Sequence, residues 1–124
     1  MIYLKSNLLQ LIPRYERYVE YELELYIKLP KISKFNIGNR FVENILDTLE
    51  SIYLLQKVRK EKRLDVLNKI DSNFSFQRSV LRVMYKLRYI DEKKFNVSIR
   101  YLSELGMMLG GYIKNVGVNF WKVF

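Results

Sequence analysis

The sequence of 124 residues contains no cysteine and no histidine. Without cysteine there is no disulfide and no thiolate zinc site, and without histidine the Ser-His and Cys-His nucleophile pairs and any histidine general base are excluded. The di-iron site of helical bundles needs a Glu-x-x-His motif, so it is excluded for the same reason. We therefore expect no metal, no cofactor and no enzymatic activity.

Long apolar runs are also scarce. The longest nearly continuous one, Leu105–Ile113, contains three glycines. A membrane-spanning helix needs about 18 or more consecutive apolar residues, so we expect none and no membrane partner. The first residues carry one lysine before a short apolar stretch and no small-residue cleavage site, which matches a secretory signal poorly. We expect a cytoplasmic protein.

What the sequence has in excess is positive charge. It contains 22 Lys and Arg residues against 13 Asp and Glu residues, a formal net charge of +9. With 49% hydrophobic and 28% charged residues, its composition is that of one globular domain rather than of a disordered chain. A basic domain of this kind favours a polyanionic partner, and nucleic acid is the first to consider.

Apolar residues at helical spacing predict four helices, which short connections would join into an all-α, up-and-down antiparallel four-helix bundle. Pro13 suits the first turn of a helix and Pro30 forbids its continuation, so helix one is predicted over residues 13–29. Residues 1–12 form a separate N-terminal segment, and residues 29–39, with Pro, Ser, Asn and Gly, are predicted to be a loop. The expected buried residues of helix one are Tyr15, Val19, Leu23 and Tyr26, opposite a solvated stripe of Glu16, Glu20, Glu24 and Lys28.

Helix two is predicted from Asn39 to a basic run at residues 57–63, where we place the turn into helix three. The run contains no Gly or Pro, so the alternative is that it is helical throughout. Asp91 is the predicted N-cap of helix four, and Gly117 is predicted to end it. The bundle then spans residues 13–116, and residues 117–124 form an apolar tail that should dock on the protein. The expected buried residues of helix two are Val42, Ile45, Leu49 and Ile52, while Glu43, Asp47 and Glu50 should face solvent. Those of helix three are Leu64, Leu67, Ile70, Phe74, Val80, Val83, Leu87 and Ile90. Those of helix four are Phe95, Ile99, Leu102, Gly106, Leu109, Ile113 and Val116.

Positive charge is concentrated in one part of the chain. Residues 57–90 hold ten basic groups and three acidic ones, which is +7 of the total of +9. Arg78, Arg82 and Lys86 share one helix face, a geometry that suits a phosphate backbone or an acidic partner, although such a face can also serve only solubility. Tyr85 and Tyr89 lie among these cations, where they would either stack on bases or pack in the core. The candidate nucleic-acid contacts are Lys57, Arg59, Lys60, Lys62, Arg63, Arg78, Arg82, Lys86 and Arg88.

Helix four contains a stripe of small residues, Ser103, Gly106 and Gly110, with Gly111 beside it. A glycine in a helix interior costs about 1 kcal/mol relative to alanine, so several of them indicate a close backbone approach. That approach is either helix packing within the chain or a contact between subunits.

Several short stretches resemble the Avd-like four-helix bundle family. They are Arg14-Tyr15-Glu16-Arg17, Leu29-Pro30-Lys31, Gly38 with Arg40 and Phe41, Leu81-Arg82, and the segment Leu102–Tyr112, which is the most specific. That family includes the accessory variability proteins of diversity-generating retroelements and proteins encoded in 23S rRNA intervening sequences.

The resemblance implies a homopentameric barrel with a basic surface that associates with the reverse transcriptase of the retroelement. It implies binding of template-repeat RNA, and possibly of DNA, in support of mutagenic cDNA synthesis by the polymerase. It adds Arg14 and Arg17 to the candidate contacts and gives Arg82 and Lys86 the greatest weight. The rRNA-associated branch shares the bundle, so the fold alone does not choose between the roles, and the positive charge favours the retroelement. A structural interaction module whose basic face binds an acidic protein is a further alternative.

Overall fold

A computed structural model describes the backbone of residues 2–123 and the side chains of residues 10–114. It contains four long helices, α1 (Ile2–Ile27), α2 (Asn39–Leu54), α3 (Lys60–Lys86) and α4 (Glu92–Val123). Each helix packs against the next, and α1 also packs against α4, so the described chain is a four-helix bundle without strands, as predicted. No helix in the described part of the chain is long and apolar enough to cross a bilayer.

The first helix begins at Ile2 and not at Pro13, which lies inside it. An interior proline removes one backbone hydrogen bond and costs about 3 kcal/mol or more. Leu11 and Ile12, directly before it, are buried, and each such side chain contributes roughly 1.5–3 kcal/mol on burial. Burial of these two side chains is therefore large enough to offset the cost of the interior proline. Residues 2–12 continue α1 and are not a separate segment.

The connector between α1 and α2 (residues 28–38) is not the irregular loop that its composition predicts. It contains a helical turn, Lys31–Ser33, followed by a π-helical turn, Lys34–Gly38. The buried Ser33 hydroxyl donates a hydrogen bond to the Pro30 carbonyl at 2.7 Å. Gly38 packs so closely that a Cβ there would lie 3.0 Å from the Ser33 carbonyl oxygen and 3.2 Å from a ring carbon of Tyr26. These contacts, which helical periodicity does not reveal, hold the connector in a helical conformation.

The basic run predicted as the turn between the second and third helices is divided by the structure. The turn occupies residues 55–59, and α3 starts at Lys60, before the predicted Leu64. Of the run, only the part before Lys60 lies in the turn. The rest forms the first turn of α3.

The third helix ends at Lys86, earlier than the predicted Ile90, in a Schellman motif. The Tyr89 N–H donates to the Met84 carbonyl at 2.8 Å and the Arg88 N–H donates to the Tyr85 carbonyl at 3.0 Å. Arg88 takes the left-handed conformation, with φ of 63°, at the position where glycine is usual.

The N-cap prediction for the last helix is confirmed, because the Asp91 Oδ1 accepts the Lys94 N–H at 2.8 Å. The predicted end is wrong, since α4 continues through Gly117 to Val123. Among the described glycines none has the positive φ of a helix-ending residue. The predicted docking of the tail, residues 117–124, concerns side chains outside the described ones. The predicted burial of Val116 also lies outside them.

The core confirms part of the predicted seams and corrects the rest. Tyr15, Val19, Ile45, Ile52, Leu67, Ile70, Phe74, Val80, Ile90, Leu102 and Leu109 are buried as predicted, and Tyr26, Val42, Leu49, Leu64, Phe95, Ile99, Gly106 and Ile113 are partly buried. Leu23, Val83 and Leu87 are exposed, because α1 turns Tyr18 and Leu25 inward and α3 turns Leu81 and Met84 inward. The predicted acidic faces are exposed: Glu16, Glu20, Glu24 with Lys28, and Glu43, Asp47 and Glu50.

A buried polar network explains why α3 is rotated so that Leu81 and Met84 face the core and Val83 and Leu87 face solvent. The Tyr18 hydroxyl on α1 donates to Oε1 of the fully buried Gln77 at 3.0 Å. The Gln77 Nε2 donates to Asn44 Oδ1 at 3.0 Å and to Thr48 Oγ1 at 3.2 Å, both on α2. Buried polar groups are costly when they lack partners, so turning Gln77 away from these groups is unfavourable. The network therefore ties three helices together in one register.

Candidate nucleic-acid interface

The predicted basic face of α3 is only partly open to solvent. Arg82 and Lys86 are exposed, but Arg78 is partly buried and turns toward α4. Its Nη2 lies 3.5 Å from the Leu102 carbonyl oxygen, a long hydrogen bond, and a Cβ on Gly106 would lie 2.7 Å from the same nitrogen. Arg78 therefore covers part of α4 and does not share one exposed face with Arg82 and Lys86.

Of the nine remaining cations of the hairpin, eight fall into two clusters, and the exposed Lys69 lies between them along α3. The turn cluster comprises the exposed Lys57, Arg59, Lys60 and Lys62, next to the partly buried Arg63, and the helix-end cluster comprises the exposed Arg82, Lys86 and Arg88. Lys62 and Lys86 are 24 residues apart on one helix, roughly 36 Å at 1.5 Å per residue. Charges are largely screened beyond about 8 Å at physiological salt. The two clusters therefore act as separate fields and not as one continuous surface.

The helix-end cluster lies in a stretch of the sequence without carboxylates. Glu61 and Asp65 lie within or beside the turn cluster, whereas no carboxylate occurs in the sequence between Asp71 and Asp91. The left-handed conformation of Arg88 places a third cation directly beyond the end of α3. An anion that approaches this end of the helix meets several cations, and the nearest carboxylates in the sequence, the exposed Asp91 and Glu92, begin only at the start of α4.

The two tyrosines of this region have structural contacts. Tyr85 stacks on Phe95 of α4, with ring centroids 4.7 Å apart and an interplanar angle of 14°. Tyr89 is partly buried against the core. The interpretation as core packing is therefore correct for Tyr89, while Tyr85 has one face covered and remains 37% exposed. Base stacking at this end is limited to the other face of Tyr85.

Arg14 and Arg17 lie apart from both clusters. Arg14 forms an ion pair with Glu104 across the interface of α1 and α4. Arg17 is exposed and lines a groove between α1 and α2. Since α1 packs against α2 and α4, these two arginines are not brought to the surface of α3.

The described side chains do not account for all the small residues of α4. Ser103, Gly110 and Gly111 are exposed, and a Cβ added at either of these glycines would meet no described atom within 4 Å. Of the three glycines, Gly106 is the one closely approached by a described residue, and its neighbour is the Arg78 side chain. For Gly110 and Gly111 the described residues therefore show no helix packing, and a contact between subunits stays the open alternative.

The most perturbed carboxyl group of the described chain was not singled out by the sequence analysis. Glu22 is completely buried, and burial raises its pKa to about 7. Its position was visible in the sequence, since it follows Tyr15 and Tyr18 by seven and four residues and so shares their helix face. It lies alone, because no group of three acidic residues that could hold a metal ion occurs among the described residues.

The family model of bAvd-like proteins matches residues 9–116, which is most of the chain. The chain belongs to the bAvd-like family. The match covers both basic clusters and the small-residue stripe of α4, and it confirms the Avd-like resemblance of the short motifs. No curated protein sequence gives a significant match to the chain.

Proposed function

We propose that this bAvd-like protein is a non-catalytic accessory protein of a diversity-generating retroelement. In this proposal the helix-end cluster binds template RNA and the reverse transcriptase and so supports mutagenic cDNA synthesis. The observation that carries the proposal is the concentration of exposed cations at Arg82, Lys86 and Arg88 in a stretch without carboxylates. Membership of the bAvd-like family supports the accessory role.

The proposed mechanism is electrostatic. Cations that neutralise phosphates release condensed counterions, so affinity for a single strand falls with salt by a slope of roughly 0.7 per phosphate contact in log–log form. A rigid helix end with fixed cations positions the RNA backbone but reads no sequence. Sequence specificity then belongs to the polymerase and its template, and the accessory protein supplies positioning.

A double variant, Arg82→Glu with Lys86→Glu, tests the RNA surface. We expect its affinity for fluorescein-labelled poly(U), measured by anisotropy at low salt, to fall at least tenfold. The salt slope should decrease by roughly 1.4, which corresponds to two lost phosphate contacts. Lys28→Glu with Arg40→Glu is the matched control, since these exposed cations lie at the connector and give the same change in net charge. If the control weakens binding as much as the test variant, only total charge matters and the assigned surface is wrong.

The partner is tested by pull-down of the full chain with the reverse transcriptase of a diversity-generating retroelement, with and without RNA. Loss of the complex in the Arg82→Glu, Lys86→Glu variant supports the proposal. If an acidic protein binds this face and excess homopolymer RNA leaves it in place, the alternative of a structural interaction module is correct. A gene located inside a 23S rRNA gene, without paired template and variable repeats, would instead favour the rRNA-associated role.

The proposal includes assembly, because the resemblance implies a homopentamer and the open Gly110–Gly111 face needs a covering surface. A helix-interior glycine without a close neighbour costs stability and gains nothing within the chain. Contact of this face with another subunit would offset that cost. Sedimentation of the full chain as a 15.0 kDa monomer at micromolar concentration would contradict assembly.

A further inference from the structure

The connector between α1 and α2 carries an exposed apolar pair that nothing in the proposed function uses. Ile32 is 77% exposed and Phe35 is 73% exposed, and their spacing of three residues on a helical turn places them on one face. On the other side of the connector, Ser33 and Gly38 are buried against the end of the bundle. Ile32 and Phe35, here called the tip, are therefore held outward by a fixed support.

The tip lies in a stretch of the sequence whose charged residues are all basic. Lys31 and Lys34 flank Ile32 and Phe35 in the sequence, and no acidic residue lies between Glu24 and Glu43. Lys31 is exposed and four residues before Phe35, so it shares the face of the tip. An apolar pair with a cationic surround fits an apolar surface with an acidic rim.

The chain itself has such a surface between α1 and α2. A groove of about 520 Å³ lies there, with an apolar floor that includes Val19, Leu23 and Leu49. Glu16 and Glu20 are exposed along its rim together with Arg17, so the rim has a net charge of −1. Its volume lies within the roughly 300–1,000 Å³ of pockets that hold small ligands, so it admits two side chains. Leu23, predicted to be buried, is 37% exposed at this floor.

We propose that the tip of one copy of this chain docks in the α1–α2 groove of a second copy. The tip cannot fill the groove of its own chain, because Ser33 and Gly38 fix it at the end of the bundle, beyond the last turn of α1. A phosphate backbone suits the groove poorly, because its two carboxylates, Glu16 and Glu20, outnumber its one cation, Arg17. The lysines around the tip and the carboxylates around the groove provide the complementary charge.

This contact is heterologous, since each copy offers its tip to one neighbour and its groove to another. It involves neither the helix-end cluster nor the Gly110–Gly111 face, so it goes beyond the proposed function. A support that is already ordered before binding loses little conformational freedom on docking. The rotation between neighbouring copies determines whether successive contacts close a ring or continue as a filament.

Disulfide trapping tests the contact directly, because the native chain has no cysteine and therefore no background. Two single variants, Phe35→Cys and Leu23→Cys, are mixed with tags of different size and oxidised mildly. We expect a crosslinked heterodimer of the two tagged chains on a non-reducing gel. The control mixes Leu87→Cys with Leu23→Cys, since Leu87, directly after α3, is also well exposed at 55% and lies outside the Gly110–Gly111 face. Absence of the tip–groove crosslink, or equal crosslinking in the control, would overturn the proposal.

A second measurement does not depend on a cysteine reaction. Phe35→Asp should weaken self-association at least tenfold in sedimentation velocity and leave the helical circular dichroism unchanged. Leu87→Asp, at an exposed apolar residue directly after α3, is the matched control and should leave this association unchanged. RNA affinity of the Phe35→Asp variant reports separately on the helix-end cluster, so the docking contact and the RNA surface can fail independently. Equal association of the native chain and Phe35→Asp would refute the contact.

Discussion

Glu22 makes the stability of this protein depend on pH in a way that one substitution can isolate. Its carboxyl group is completely buried on α1, and neither oxygen has a hydrogen-bond partner among the described residues. Burial raises its pKa from 4.5 to about 7, and the nearby Ser98 hydroxyl on α4 offsets only part of that increase. Tyr18 and Tyr21 also lie close to it, and burial raises both of their pKa values further above 10. Those phenols stay neutral through the range in which Glu22 titrates.

The sign of the effect follows from the raised pKa. Below about pH 4.5 Glu22 is protonated in both the folded and the unfolded chain and has no influence on their balance. As pH rises toward 7 the unfolded chain ionises first, so the free energy of unfolding decreases. Each unit of pKa difference corresponds to 1.36 kcal/mol, so the shift from 4.5 to about 7 amounts to roughly 3 kcal/mol above pH 7.

The variant Glu22→Gln keeps the shape of the side chain and removes its titration. Urea unfolding followed by circular dichroism at pH 5 and pH 8 gives the free energy of unfolding of both proteins. We compare the free energy of unfolding of Glu22→Gln with that of the native chain. The difference in favour of the variant should be roughly 2–3 kcal/mol larger at pH 8 than at pH 5. Glu24→Gln is the matched control, because Glu24 is exposed on the same helix. An equal difference at both pH values would refute the reasoning.

Two further substitutions test local geometry. Arg88→Gly should raise the free energy of unfolding by about 1 kcal/mol, because the left-handed conformation is strained for arginine and not for glycine. The same variant should weaken poly(U) binding, so a lower melting temperature or unchanged binding would contradict the two roles assigned to Arg88. Gly38→Ala should lower the free energy of unfolding by roughly 1–3 kcal/mol, since the new Cβ would lie 3.0 Å from the Ser33 carbonyl oxygen. Gly110→Ala, with no neighbour within 4 Å, is its control in thermal melts under monomeric conditions and should not destabilise the bundle.

The parts of the fold that depend on local chemistry could be predicted from the sequence. Asp91 caps α4 through its own side chain, and Pro30 prevents α1 from continuing, so both boundaries follow from single residues. The rotation of α1 and α3 could not be predicted in this way. It depends on the hydrogen bond between Tyr18 and Gln77, which are 59 residues apart and both polar, so an apolar pattern does not find it.

The candidate site was predictable in charge but not in shape. Counting charges located the basic hairpin, yet its division into two clusters follows from the length of α3, which places Lys62 and Lys86 at opposite ends. The inward turn of Arg78 follows from the free space above Gly106, where any Cβ would meet the guanidinium. The tip could not be predicted, because its segment was expected to be a loop. Exposed apolar side chains such as Ile32 and Phe35 indicate nothing in a loop. They become informative only when the backbone that carries them is known to be packed in place.

The buried network and the basic surface are parts of one arrangement, since both depend on the rotation of α3. With Gln77 held by groups of α1 and α2, Leu81 and Met84 point into the core and Arg82 and Lys86 point out of it. An apolar residue in place of Gln77 would remove the hydrogen-bond acceptor of the buried Tyr18 hydroxyl and would let the helix turn toward Val83. Buried polar contacts often contribute more to a specific arrangement than to net stability. The position of the cations at the surface is therefore set by a glutamine in the core.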